Sequence, residues 1–260
     1  MDFWTYDFLI FAAVGFLAQL IDGALGMGYG VISSTVLLAT GVPPAHTSAS
    51  VHAAKLFTTA ASGTSHILHG NVDKRILVIL CITGAIGGVL GALVLVNAPA
   101  GVIRPYVFGY LGVMGLVIIW RGVMLPASKT VSGKLIAPLG SVGGFLDAIG
   151  GGGWGPVVTS SLIGAGAPPR YVVGTVNAAE FVVTCAVVTA FAATIALGMW
   201  ADSKGIADHV TAIAGLILGG IPAAFLAGWL IKVAPRKPLM IAVGLLICGI
   251  AGWEISKVFA

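Results

Sequence analysis

Apolar residues occupy this chain in ten stretches, separated by glycine, proline and short polar joints. Five fall in each half, in the same order: 6–21, 29–40, 45–69, 76–96 and 103–123, then 135–146, 156–165, 171–198, 210–231 and 239–259. The last three of each set predict helices long enough to cross a bilayer, because about 20 residues rising about 1.5 Å each span a hydrocarbon core about 30 Å thick. The first two are shorter in the second half, and 29–40 is too short to span. Each such pair reads as two half-helices meeting at glycines, either as a re-entrant hairpin or as one broken crossing.

The glycine clusters repeat. Asp22-Gly-Ala-Leu-Gly-Met-Gly-Tyr-Gly30 returns 125 positions later as Asp147-Ala-Ile-Gly-Gly-Gly-Gly-Trp-Gly155, and Gly41-Val-Pro-Pro44 returns as Gly166-Ala-Pro-Pro169. Without a gap, 22–59 laid over 147–184 keeps Asp22, Gly26, Gly28, Gly30, Leu37, Gly41, Pro43, Pro44, Val51, Ala53, Ala54 and Thr59. A duplicated, glycine-broken apolar unit is how many membrane transporters are built. The expected organisation is a first membrane repeat over 1–125, a polar linker over 126–134 and a second repeat over 135–260. The fold class is all-α and polytopic, each repeat holding glycine-broken half-helices plus three long transmembrane helices.

Composition agrees. Hydrophobic residues make up 58% of the chain and charged residues 8%, and the mean hydropathy is +1.06, too little charge to solvate a globule of 260 residues. The N-terminus through Asp7 is acidic and aromatic where a signal peptide carries lysine or arginine, so the first apolar stretch is expected to stay in the mature protein. Cys81, Cys185 and Cys248 stand singly in apolar runs and read as small core residues, not as disulfides or metal ligands. A net charge of +4 carried by short loops reports membrane orientation, and no nucleic-acid partner is expected.

The basic residues favour inverted halves. With an odd number of crossings per half, Lys74, Arg75, Arg121, Lys129, Lys134, Arg170, Lys232, Arg236 and Lys237 share one side and Arg104, Lys204 and Lys257 the other. A parallel duplication divides them far more evenly. The positive-inside rule therefore prefers inversion, with both termini outside the cytoplasm. Trp4, Tyr6, Trp120, Trp200 and Trp253, near stretch ends, fit an interfacial belt.

The glycine breaks are the first candidate for chemistry. A helix starting just after such a break presents free N–H groups and the positive end of its dipole, which inside a membrane makes an anion site. Gly26, Gly28, Gly30, Gly151, Gly153 and Gly155 form the breaks. Ser33, Ser34 and Thr35, and in the other half Thr159, Ser160 and Ser161, add hydroxyls. The competing reading is tight helix crossing with hydroxyls bonded to their own helix. Tyr29 and Trp154, inside the breaks, either gate the site or fill space beside glycine.

The third stretch carries a polar stripe. Ser48, His52, Lys55, Thr59, Ser62, His66 and His69 follow at alternating spacings of four and three, one face of a helix. In the second half Asn177, Glu180 and Thr184 stand where His52, Lys55 and Thr59 stand. Lys55 and Glu180 each lie eleven residues beyond a Pro-Pro, near the bilayer middle, where a lone charge costs about 2.5–3.5 kcal/mol. Either the two neutralise each other structurally, or Lys55 attracts an anion while Glu180 exchanges a proton. Asp22 and Asp147 either cap the helix breaks or bind a coupling ion. The histidines have no HExxH or cysteine partner, so polar lining is preferred to a metal, and no cofactor is expected.

The paired glycine motifs, the two Pro-Pro elements, Gly70-Asn-Val-Asp73 and the length resemble the TauE/SafE family of sulfite and organosulfonate exporters, over nearly the whole chain. The resemblance implies a permease of the bacterial or archaeal cytoplasmic membrane that expels small sulfur oxyanions. No GxxxxGK[ST] motif is present, so the implied driving force is an ion gradient, the membrane potential or a partner subunit. The alternatives are an uptake permease or channel for another small solute and, from a different class, a membrane-embedded enzyme built on the histidines.

Overall fold

The computed structural model describes residues 6–124, 133–200 and 203–259, and among these every regular element is helical. The first half gives α1 (Tyr6–Leu25), α2 (Tyr29–Ala39), α3 (Pro44–Leu68), α4 (Lys74–Asn97) and α5 (Ala100–Val123). The second gives α6 (Gly133–Gly150), a π-helical turn (Gly155–Thr159) running into α7 (Ser160–Gly164), α8 (Pro169–Ala196), α9 (Val210–Phe225), α10 (Ala227–Val233) and α11 (Arg236–Phe259), with a 3-10 turn, Ser203–His209, before α9. Among the described residues six spans are apolar and long enough to cross a membrane, and the polar α3 is 25 residues long. Val78, Ile82, Ile86 and Leu90 line the outside of α4 at four-residue spacing, more than half exposed, which places lipid against them. The chain is an all-α polytopic membrane protein.

Local chemistry sets the boundaries. Gly41 (φ 96°) and Gly166 (φ 100°) end α2 and α7 in the left-handed region, where a Cβ is penalised. Pro43 and Pro168 follow in extended conformation, and Pro44 and Pro169 open α3 and α8 where the missing N–H costs nothing. Asp73 caps α4, its carboxylate accepting from Arg75 N (2.9 Å) and Ile76 N (3.1 Å). Three boundaries depart from the sequence reading, one of them that of α6, which continues past Leu146 to Gly150 with Asp147 on its last turn. α1 continues past Ile21 to Leu25, carrying Asp22 on its last turn. The fourth stretch of the second half is interrupted at Leu226, four residues after Pro222, and Ser65 of α3 fills the gap: its hydroxyl donates to Phe225 O (2.9 Å) and accepts from Gly228 N (3.0 Å).

Contacts along the helices give their directions. α3 and α8 run antiparallel, with His46 stacked on Trp200 (centroids 5.3 Å apart) at one end and Arg170 donating to Asn71 Oδ1 (2.6 Å) and His69 O (3.0 Å) at the other. α5 and α11 are also antiparallel, Arg104 meeting Glu254 and Gly122 meeting Met240. α1 follows α9 in the same direction, Gly15 on Leu216 and Gly23 on Ala227; α6 follows α4, Gly87 on Ser141 and Gly91 on Phe145. Exchanging the halves maps this packing onto itself. Six positive-φ glycines pair likewise, Gly26 with Gly151, Gly41 with Gly166 and Gly70 with Gly198, while Gly28 (φ 152°) has no such counterpart among the described residues. Each of the two apolar cores draws on both halves.

These directions decide the hairpin question. α1 starts at the end marked by His46 and travels towards the end marked by Asn71. After the break α2 returns, so that Leu38 O accepts from Arg104 in the first turn of α5 (2.9 Å). α6 and α7 do the same from the opposite end, where Gly164 lies against Arg121 in the last turn of α5. Both glycine-broken pairs are re-entrant. Trp200 corrects the interfacial belt: it is 5% exposed and buried on His46, whereas Tyr6, Trp120 and Trp253 are exposed. Trp4 and most of the 126–134 linker lie outside the described residues. The three cysteines are free and partly buried.

Two outcomes are expected. In sealed vesicles, with native cysteines removed, single cysteines at Thr40 and Leu197 react with an impermeant thiol reagent from one face, and those at Leu68 and Met124 from the other; reaction of Thr40 and Leu68 from the same face would refute the topology. Gly30→Ala places a Cβ 2.5 Å from Gly151 O and is expected to cost about 1–3 kcal/mol, read as a lowered unfolding midpoint in detergent. Gly252→Ala, with nothing within 4 Å, leaves the midpoint unchanged.

Candidate functional site

The two breaks meet back to back. A Cβ on Gly30 or Gly152 would enter the other hairpin's backbone, and one on Gly155 would lie 2.5 Å from Gly26 O and 2.6 Å from Met27 Cα. Only glycine permits this approach. It brings Asp22 and Asp147, one residue type from each hairpin, to a common crevice that Glu180 also lines, too tight to admit a water molecule.

Each aspartate serves its own break first. Asp147 Oδ1 accepts from Gly153 N (2.9 Å) and Trp154 N (3.1 Å), and Asp22 Oδ1 accepts from Tyr29 N at 3.4 Å. Asp147 then does much more. It binds Lys55 Nζ through both oxygens (3.0 and 2.8 Å) and His52 Nε2 through Oδ2 (3.0 Å). Lys55 Nζ also reaches Glu180 Oε1 at 2.7 Å. Lys55 is wholly buried near the middle of α3, and Glu180, near the middle of α8, is 5% exposed. The ammonium therefore bridges two carboxylates on two elements of the second half. His52 is oriented from behind, its Nδ1 within 2.8 Å of Ser48 O, while Ser48 Oγ donates to Ala148 O.

The remaining predicted residues divide. Thr59 donates to Lys55 O (2.6 Å) and Thr35 to Val31 O (2.6 Å), so both bond within their own helix. Ser62 donates to Asn177 Oδ1 (2.7 Å), and Asn177 donates to Val173 O, tying α3 to α8. Thr159 crosses to Gly26 O (2.8 Å), and Ser160 faces Met27 Sδ at 3.8 Å. Ser161 is only partly buried. The hydroxyls of Ser33, Ser34 and Thr184 are buried without a hydrogen-bond partner. Ser34 is the one against the opposite break, beside Gly151. Tyr29 donates to Leu216 O and Trp154 to Val176 O, each filling space beside glycine. His66 is buried on the stripe and meets Asn71 at 3.3 Å at the α3 terminus; His69 bonds Ser65 O. No group of residues suited to a metal ion occurs among the described residues.

Sequence reasoning paired Lys55 with Glu180 but not with Asp147, because no spacing rule links a hairpin aspartate to a helix 92 positions away. It also missed the cluster of His46, Trp200 and Phe191, whose rings lie 5.3 and 5.7 Å apart in sequence of contact, and Phe191 in turn faces His52 at 6.3 Å. Aromatic residues in a loop and a helix end carry no signal that they will fold over a buried site.

Removing one partner of a buried pair leaves the others uncompensated. Lys55→Met is therefore expected to destabilise by about 3–5 kcal/mol, seen as a strongly lowered unfolding midpoint. Adding Asp147→Asn and Glu180→Gln to it recovers most of the loss; a midpoint equal to wild type for Lys55→Met alone would show that the bridge carries no stability.

Residues 11–254 match the family described as Sulfite exporter TauE/SafE. The chain is 45% identical over 231 residues, 86% of its own length and 74% of the relative's, to the Probable membrane transporter protein YtnM of Bacillus subtilis (strain 168). Over 62 residues, 24% of this chain and 14% of the relative, it is 39% identical to Sulfite exporter TauE/SafE family protein 6 of Arabidopsis thaliana. No solved structure matches.

Proposed function

The chain belongs to the sulfite exporter TauE/SafE family and is a membrane transporter, and from that premise we propose that it exports small sulfur oxyanions, sulfite or short organosulfonates, by alternating access at the crevice between the two hairpins. The observation that carries this reading is the fully buried Lys55, the cation that an anion must engage, held by two carboxylates where the breaks meet. The antiparallel crossing of α3 with α8 supports inverted repeats of about 1–125 and 135–260. The basic residues gather at the Asn71 end, which faces the cytoplasm of a bacterial or archaeal cell under the positive-inside rule.

The charge balance supplies a coupling mechanism. An oxyanion binding Lys55 competes with Asp147 and Glu180. Asp147 is fixed by two backbone amides and His52, so Glu180 is the carboxylate that yields. A proton on Glu180 keeps the buried net charge constant as the anion arrives, avoiding the desolvation of an extra charge. Asp22, lining the same crevice, is the second coupling candidate. Ser34, Ser33 and Thr184 supply donors with no protein partner, and the α2 terminus supplies a favourable dipole. Gly26, Gly28, Gly30, Gly151, Gly153 and Gly155 permit the approach. An interior-negative potential adds about 2.3 kcal/mol per charge per 100 mV to outward movement.

In liposomes, labelled sulfite or sulfoacetate is expected to move saturably and to respond to an imposed pH gradient, and Glu180→Gln is expected to lose that response. Absence of saturable flux for sulfite, sulfoacetate, sulfate and chloride would sink this reading.

A further inference from the structure

A second cationic site lies at the Asn71 end, outside the central cluster. Arg121, in the last turn of α5, borders a cavity of about 30 Å³ that also touches Leu25 and Met27 beside the first break, Ser160 of α7, and Met124 and Met240. Its guanidinium lies over the Trp120 ring (4.5 Å to the centroid) and against Gly164, the one residue type that leaves room for it. Its Nε is buried without a hydrogen-bond partner. No ion pair to Arg121 occurs among the described residues, and Ser160 has only a weak contact with Met27 sulfur.

The exchange of halves gives this cavity a counterpart at the His46 end, beside the last residues of α2. That one is lined by Arg104 and Glu254, and its arginine is already engaged, donating to Leu38 O (2.9 Å) and Glu254 Oε2 (3.4 Å). The two ends therefore differ: one arginine is neutralised, and the other has donors to offer.

We infer that Arg121 and Ser160 form a loading subsite for the substrate anion at the Asn71 end, and that its ligand is a sulfonate with a short apolar tail. This rests on the anion reading above. A guanidinium fork suits a sulfonate head. The remaining wall is apolar, with Leu25, Met27, Met124 and Met240 among its residues; it offers an inorganic anion nothing for the water it loses, but packs a methylene tail, and methionine adapts its shape to admit one. Thr159, the residue before Ser160, donates to Gly26 O (2.8 Å), so the subsite adjoins the first break. Its absence at the His46 end gives the transporter a loading direction, from the basic side outward.

The test uses purified protein, labelled ethanesulfonate in equilibrium dialysis, and flux in liposomes of sorted orientation. Arg121→Gln is expected to weaken binding and raise half-saturation from the Asn71 end about tenfold, the loss of a charged hydrogen-bonding partner, with maximal rate and half-saturation from the His46 end unchanged. Arg121→Lys, which keeps the charge without the fork, falls between. Equal Arg121-dependent binding of sulfate would overturn the ligand class. Loss of co-purified phospholipid phosphate in Arg121→Gln with ethanesulfonate binding intact would assign the guanidinium to a lipid headgroup and overturn the subsite. Flux that depends on Glu180 but ignores Arg121 would overturn this inference and keep the transport reading; Arg121-dependent binding with no flux would do the reverse.

Discussion

The bridge from Lys55 to Asp147 and Glu180 is the interaction on which the rest of the structure depends. An ammonium at the centre of a membrane protein is tolerated only with close counter-charges, and these come from two elements packed on α3, the second hairpin and α8. Asp147 is shared between roles, since the same carboxylate that holds Lys55 also caps the break through Gly153 N and Trp154 N. The ion bridge and the hairpin geometry are thus one construction, and a disturbance of either is felt by the other.

Close backbone packing makes that construction possible. The hairpins meet through glycines whose missing side chains let one break touch the other, and the same device recurs where α1 lies on α9 and α6 on α4. Because the first helix of each half packs on the fourth stretch of the other, each hairpin is braced against the opposite half. The interruption of α9 and α10, filled by the Ser65 hydroxyl, gives one of those partners a built-in joint next to α3.

The two halves share an order of packing but differ in chemistry. Six of the positive-φ glycines pair across the halves, yet His52 and Lys55 in α3 correspond to Asn177 and Glu180 in α8. One aspartate consequently sits beside a cation and the other beside a carboxylate. The buried charges of the two halves are therefore not interchangeable, although α3 and α8 hold them at matching depth.

Sequence alone was enough for the all-α membrane class and for most of the apolar stretches, because these follow from local hydropathy, helix length and glycine or proline stops. It also located Lys55, Glu180, His52, Asp22 and Asp147, since buried charge in an apolar run stands out. Tertiary structure decided that the half-helices return to the side they came from, that Asp147 is the principal partner of Lys55, that Thr59 bonds within its own helix and that Trp200 is buried on His46. Those outcomes depend on the direction and packing of elements far apart in the chain. Hydropathy is the same for a helix that turns back and one that continues, and a carboxylate's spacing to its own backbone does not reveal the cation that another helix brings to it.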